Sequence, residues 1–128
     1  MKDVAVLNDN TIALDAWVEA IGERAEGFKH PRNLLYELAE GRKFNYYILD
    51  RQCSDLFDVV EDNFLDALKK AGAKGPFLLA SILHRKGESV EGFHCSIGHE
   101  PMSLSEVESV CLENSMTNEV SSSAGDVQ

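Results

Sequence analysis

Long apolar runs are missing from this chain. No stretch approaches the roughly 18 apolar residues of a bilayer-spanning helix, and the short run Val4 to Leu7 behind Met1-Lys2-Asp3 falls far below the roughly 7 to 15 of a signal peptide's hydrophobic region. A soluble, cytoplasmic protein is therefore expected. Cysteine is scarce: three residues, Cys53, Cys95 and Cys111, an odd number at wide spacing and without a CxxC pair. That excludes a disulfide framework and leaves reduced thiols. Basic residues are few as well. Twelve Lys plus Arg face 22 Asp plus Glu, for a formal net charge of -10. Such a surface repels phosphate backbones and anionic lipid, so neither nucleic acid nor a membrane is an expected partner.

What is there is enough for one core. A chain of 128 residues with 44% hydrophobic content buries one real core and is too short for two ordinary domains.

Val4-Ala5-Val6-Leu7, closed by Asn8-Asp9-Asn10, predicts a strand buried on both faces and a loop after it. From Thr11 the period changes. Leu14, Trp17, Val18, Ile21 and Ala25 fall at helical spacing, with Asn10 or Thr11 placed to cap them. Gly27 to His30 leaves room for a brief extended segment before Pro31, and Leu34, Leu35 and Leu38 then predict a short helix ending near Gly41. Phe44 to Leu49 is aromatic and β-branched, stops at Asp50, and is the most strand-like segment of the chain. Leu56, Val59, Val60, Phe64, Ala67 and Leu68 mark a third helix whose polar face carries Asp58, Glu61, Asp62, Asp66 and Lys69 and which ends at Gly72. Pro76 to Ala80 predicts another buried strand, terminated by Ser81, and Phe93 to Ile97 a further one. Ser103-Leu104-Ser105-Glu106 has the pattern of a capping box ahead of the stripe Leu104, Val107, Val110 and Cys111. Residues 114–128 contain no Lys, Arg or aromatic residue and much Ser, and are expected to be a disordered tail or linker beside a folded domain of residues 1–113.

Strands alternating with helices, each strand a two-sided apolar run, predict an α/β fold with a parallel sheet and helices on both faces. One interval departs from the rule: His84 to Gly92 holds two glycines and hardly any apolar stripe, so a full helix does not fit there. In open α/β sheets, ligands gather outside the carboxyl ends of the strands where the winding reverses. For five strands ordered 2-1-3-4-5 that point lies between the first and third, which brings Asn8 and Asp9 next to Asp50, with Ser81 on the adjoining strand end. Two carboxylates held close repel each other, and a divalent cation such as Mg²⁺ relieves the repulsion. A carboxylate there can also attack phosphorus and form an aspartyl phosphate.

These residues resemble the receiver domain of two-component response regulators over roughly residues 3 to 113. Val-Leu-Asn-Asp-Asn (6 to 10) is similar to the family's hydrophobic run ending in an acidic pair, and Tyr-Ile-Leu-Asp (47 to 50) to its phosphoacceptor strand. Leu-Leu-Ala-Ser (78 to 81) is similar to the strand carrying a Ser or Thr, and Glu100-Pro101 sits where a Lys-Pro pair belongs. The resemblance implies a flavodoxin-like sheet of order 2-1-3-4-5 with the fourth helix short or missing. It also implies Asp50 as phosphoacceptor, Asp9 and Asp50 with the backbone carbonyl of Gln52 as Mg²⁺ ligands, and Ser81 as the hydroxyl beside the phosphoryl group. Four departures matter. Asn8 replaces the first acid of the pair, lowering the negative charge and weakening Mg²⁺ binding. Glu100 replaces the lysine that would pair with phosphate, unless His99 substitutes. Arg51-Gln52-Cys53-Ser54 lacks the usual proline, and Ile97 stands near the place of the switch aromatic, beside the missing helix. The losses fall on the parts that sense and transmit phosphorylation, so the expectation is an atypical or pseudo-receiver. It would be a regulatory rather than an enzymatic domain that binds a protein partner: a histidine kinase, a phosphotransfer protein or a downstream effector.

Plainer readings stand beside these. Asp50 also fits a strand-terminating acid, Asp9 a helix N-terminal acid favoured by the dipole, and Ser81 a turn hydroxyl. His84, His94, Cys95 and His99 match no standard zinc spacing. Trp17 and Phe64 on helical stripes read as core. Leu7-Asn8-Asp9-Asn10-Thr11 is vaguely similar to the DxDxT loop of haloacid dehalogenase-type phosphohydrolases, but the nucleophile would be Asn8, which cannot serve. A flavodoxin-like cofactor binder needs a Ser/Thr-rich phosphate loop, where Asn-Asp-Asn-Thr is acidic.

Overall fold

A computed structural model of the chain describes residues 2–50 and 64–113. The apolar runs form five parallel strands: β1 (Val4–Leu7), β2 (Ala25–Phe28), β3 (Tyr46–Asp50), β4 (Phe77–Ala80) and β5 (Cys95–Gly98), in the order β2-β1-β3-β4-β5. This is the expected flavodoxin-like order. Helices α1 (Thr11–Ile21), α2 (Pro31–Ala39), α3 (Leu65–Lys70) and α4, residues 104–113, complete the described elements. None of the described helices is long and apolar enough to cross a membrane.

The sheet is apolar on both faces because helices cover both. Successive strand residues point to opposite sides. Ala5, Leu7, Tyr47, Leu49, Phe77 and Leu79 meet Leu34 and Leu38 of α2 and Phe64, Leu65 and Leu68 at α3. Val4, Val6, Ile48, Leu78, Cys95 and Ile97 meet Leu14, Trp17 and Ile21 of α1 and Val107, Val110 and Cys111 of α4. Each aliphatic side chain buried this way contributes about 1.5–3 kcal/mol. Among the described residues Asp3 is the one buried acidic side chain.

The element ends have local causes. Asn10 caps α1, its side chain accepting from the Ala13 amide at 3.0 Å. Gly22 ends the helix at a φ of 98°, where a side chain would be strained. Ala25, which continues the helical stripe in sequence, therefore belongs to β2, and that strand starts earlier than Gly27. Pro31 begins α2, its missing N–H costing nothing at a first helical position. The Ser103 half of the capping box forms, with Ser103 Oγ accepting from the Glu106 amide at 3.3 Å. Of the third predicted helix, the portion through Asn63, with Leu56, Val59 and Val60, lies outside the described residues. So do Cys53 and the predicted tail 114–128.

No helix forms between β4 and β5. The connection instead runs along the outer edge of β5, where the Gly87 amide donates to the Ser96 carbonyl at 2.7 Å and the Ser96 amide to the Glu88 carbonyl at 2.8 Å. An edge strand with unpaired backbone groups is a template for unwanted pairing, and this segment covers it. Phe93 and Val90 pack against the α2–α3 side in place of helical side chains. Ser96 is fully buried there, its hydroxyl accepting from the Gly98 amide at 3.1 Å.

At the amino ends of the strands lies a charged network that no local sequence pattern announces. Asp3 is buried, and Arg24 Nε donates to its Oδ1 at 2.7 Å while Asn45 Nδ2 donates to Oδ2. The Asp3 carbonyl also accepts from the Asn45 amide at 2.7 Å, tying the start of β1 to the approach to β3. The Arg24 hydrogen bond, opposed by burial and aided by Asn45, holds the Asp3 carboxyl below its ordinary range.

Candidate functional site

Register determines which side chains meet at the carboxyl end of the sheet. Leu7 pairs with Leu49 and Asp50 with Ala80, so Asn8, one step beyond β1, lies level with Asp50. β4 and β5 slip by one residue, with Ala80 opposite Gly98. Gly98, at a φ of 73°, takes a left-handed conformation that other residues rarely adopt, and the chain turns there so that His99 follows directly. The Ser81 amide donates to the Gly98 carbonyl at 2.9 Å, holding Ser81 beside that turn.

A cavity of about 380 Å³ opens on this row, and Asn8, Asn10, Ala13, Trp17, Asp50, Ser81, Ile82, Leu83 and His99 line it together with Ala80. Asp50 is half-buried; Asn8 and Ser81 are buried. Buried polar groups need partners. Asn8 Oδ1 accepts from the Asn10 amide at 2.9 Å, and Ser81 Oγ accepts from the Leu83 amide at 3.1 Å. That bond uses an acceptor site on Ser81 and leaves its hydroxyl hydrogen to donate. Ile82 and Leu83, 72% and 70% exposed, form an apolar rim.

The predicted site residues separate. Asn8, Asp50 and Ser81 share the cavity lining. Asp9 sits exposed in the bend after β1 and is not part of that lining, and Glu100 lines a neighbouring cleft of about 420 Å³ with Lys86, Pro101 and Glu106. Alternation explains the split at β1: Asn8 continues the side to which Val6 and, on β3, Ile48 and Asp50 belong. Gln52 lies outside the described residues. Trp17 is more than core, because its α1 position also makes it a wall of the cavity.

Among the described residues no group of three or more His, Cys, Asp or Glu is placed to hold a metal ion, so His84, His94, Cys95 and His99 do not form one. Cys95 and Cys111 are buried thiols outside any disulfide. Burial pushes the Cys111 thiol up to about 12, which keeps it protonated and unreactive.

No protein-family model and no curated protein matches the chain in sequence. Solved structures do match in shape. The N-terminal domain of a response regulator/sensory box/GGDEF 3-domain protein from Carboxydothermus hydrogenoformans superposes with a TM-score of 0.67 at 11% identity, over 94% of this chain and 98% of that one. The fold is that of a receiver domain. A fusion carrying amino acids 181–211 of the yeast Spc42 trimeric coiled coil superposes with a TM-score of 0.68 at 11% identity, over 99% of this chain and 87% of that one. In this receiver-type fold Asp50 ends the central strand, and the segment between β4 and β5 departs from the βα rule by lacking its helix.

Proposed function

We propose that the chain is an atypical receiver-like regulatory domain of two-component signalling, with Asp50 at the phosphoacceptor position, impaired phosphotransfer, and output through protein–protein interaction. One observation carries the reading: Asp50 ends the central strand inside a cavity that also holds the Asn8 amide and the Ser81 hydroxyl. An aspartate in that setting is a nucleophile for phosphorus, with a hydroxyl beside it to receive a phosphoryl oxygen. Phosphotransfer is impaired because Asn8 stands in place of a carboxylate and Glu100, one residue past His99, is an anion. Mg²⁺ would rest on Asp50, with Asp9 and the Gln52 carbonyl as the further ligands the resemblance implies. It supplies charge neutralisation at an oxyanion, and with one carboxylate among the described lining residues it would bind weakly. The partner is a protein of the same pathway: a histidine kinase, a phosphotransfer protein or a downstream effector, in the cytoplasm. The exposed Ile82 and Leu83 beside the site favour such a contact.

Backbone NMR shifts during titration with Mg²⁺ and then beryllofluoride, an acyl-phosphate mimic, test the assignment. Shifts centred on Asp9, Asp50 and Ser81 at millimolar Mg²⁺ are expected. In Asp50→Asn they vanish while the melting temperature is kept. A spectrum that stays silent at Asp50 and Ser81 removes the phosphoacceptor assignment.

A further inference from the structure

We infer that the amino-terminal end of the sheet carries a second binding site, for a small organic cation: an ammonium or guanidinium on a short apolar stem. It lies at the far end of the strands from Asp50 and is independent of the phosphoacceptor reading.

A cavity of about 580 Å³ opens there, larger than the one at Asp50 and within the roughly 300–1,000 Å³ of small-molecule sites. Strand entries and one helix build it. Arg24, Asn45, Pro76 and His94, each the residue immediately before a strand, line it together with Tyr46, the first residue of β3. From α4 come Glu108, Cys111 and Leu112. His94 Nε2 donates to the Cys111 carbonyl at 3.0 Å, which ties the helix to the entry of β5.

Charge decides the class of ligand. Arg24 is committed, its Nε donating to Asp3 Oδ1 at 2.7 Å and its Nη2 to Oδ2, so its charge is matched by a carboxylate outside the lining. Glu108 is not matched. Among the described residues no ion pair or hydrogen bond holds its carboxylate, and none holds the Tyr46 hydroxyl. Burial and then Glu108 raise the pKa of the Tyr46 phenol, and at that hydroxyl Glu108 outweighs the opposing Arg24. The cavity therefore disfavours an anion and attracts a cation. Glu108 and Leu112 stand one turn apart on the same face of α4, so a cation at the carboxylate brings its stem onto Leu112, which is 62% exposed, and Pro76. The Tyr46 hydroxyl offers a second acceptor.

Amide NMR titrations of the whole chain with n-butylammonium, n-butylguanidinium, butanol and butyrate test the site. Saturable shifts at Tyr46, His94 and Leu112 are expected for the two cations at about millimolar concentration, and none for butanol or butyrate. Glu108→Gln should weaken the cations about fivefold, an exposed carboxylate contributing less than a buried one. Glu106→Gln, which removes the same charge from the same helix outside this cavity, should leave their affinity unchanged. Equal shifts from butyrate or butanol, equal losses in the two Gln variants, or no saturable response to either cation overturns the inference. Binding of acetyl-Leu-Lys-Leu-amide without binding of the free cations also overturns it, because the lining would then belong to a lysine of a partner protein. None of these outcomes touches the reading of Asp50, which beryllofluoride tests separately.

Discussion

Trp17→Ala is expected to cost about 3–5 kcal/mol of stability, the largest loss of any single substitution considered for this chain. The indole is 1% exposed and belongs to the α1–α4 face of the core, in one cluster with Leu14, Ile21, Val6 and Ile48. Truncation removes its transfer free energy and leaves a void that neighbouring strands, fixed by ladder hydrogen bonds on both sides, cannot collapse to fill. Against a total of roughly 5–15 kcal/mol for a domain this size, that is a large share. The melting temperature should fall by roughly 12–20 °C. Because Trp17 also walls the Asp50 cavity, the beryllofluoride response should weaken in the same variant. Trp17→Phe, which keeps an aromatic ring on the same face, should lose less of both. A drop below about 1 kcal/mol by urea denaturation would show that α1 is not anchored through this residue.

The second large effect is expected at the opposite end of the sheet. Asp3→Ala should cost about 2–3 kcal/mol at neutral pH, because it removes the acceptor for two side-chain donors on segments 21 and 42 residues away. The cost stays below that of breaking a fully buried pair, since the Arg24 side chain is 44% exposed and regains water when the 9% exposed Asp3 is lost. The pH dependence has a definite sign. Asp3 has its carboxyl pKa lowered in the folded state, so its contribution is complete above the unfolded value near about 3.9 and is lost as pH falls through the folded value. Thermal unfolding of the wild-type chain and of Asp3→Asn should therefore differ by a constant amount above about pH 5 and converge in stronger acid. Curves that stay parallel down to strong acid would mean that the Asp3 carboxylate contributes nothing through its charge.

Much of the fold is legible in local pattern. Val4 to Leu7 and Pro76 to Ala80 read as two-sided strands because they are continuous apolar runs, and every residue of β1 and β4 is indeed buried; Asn10 and Ser103 read as caps because a short polar side chain before a helical stripe has one favourable use. The absent helix before β5 is legible too, since two glycines and a polar composition in residues 84–92 give a helix nothing to bury. The misassigned residue, Ala25, shows the limit of periodicity: it fits a helical stripe that Gly22 has already terminated.

The sequence by itself therefore determined the α/β class of fold and the strand that Asp50 terminates, which rest on neighbours close along the chain, whose alternation and capping are local physics. The order 2-1-3-4-5 and the central place of that strand are what the resemblance to receiver domains implies, and the fold has that order. Tertiary structure alone decided that Asn8 joins Asp50 in the cavity lining while Asp9 faces solvent, that His99 enters it and Glu100 does not, and that Asp3, Arg24 and Asn45 form one network. The reason is register. A shift of one residue between strands changes which side chain faces the site, and that shift is set by a bulge and a left-handed glycine far along the chain from Asp50.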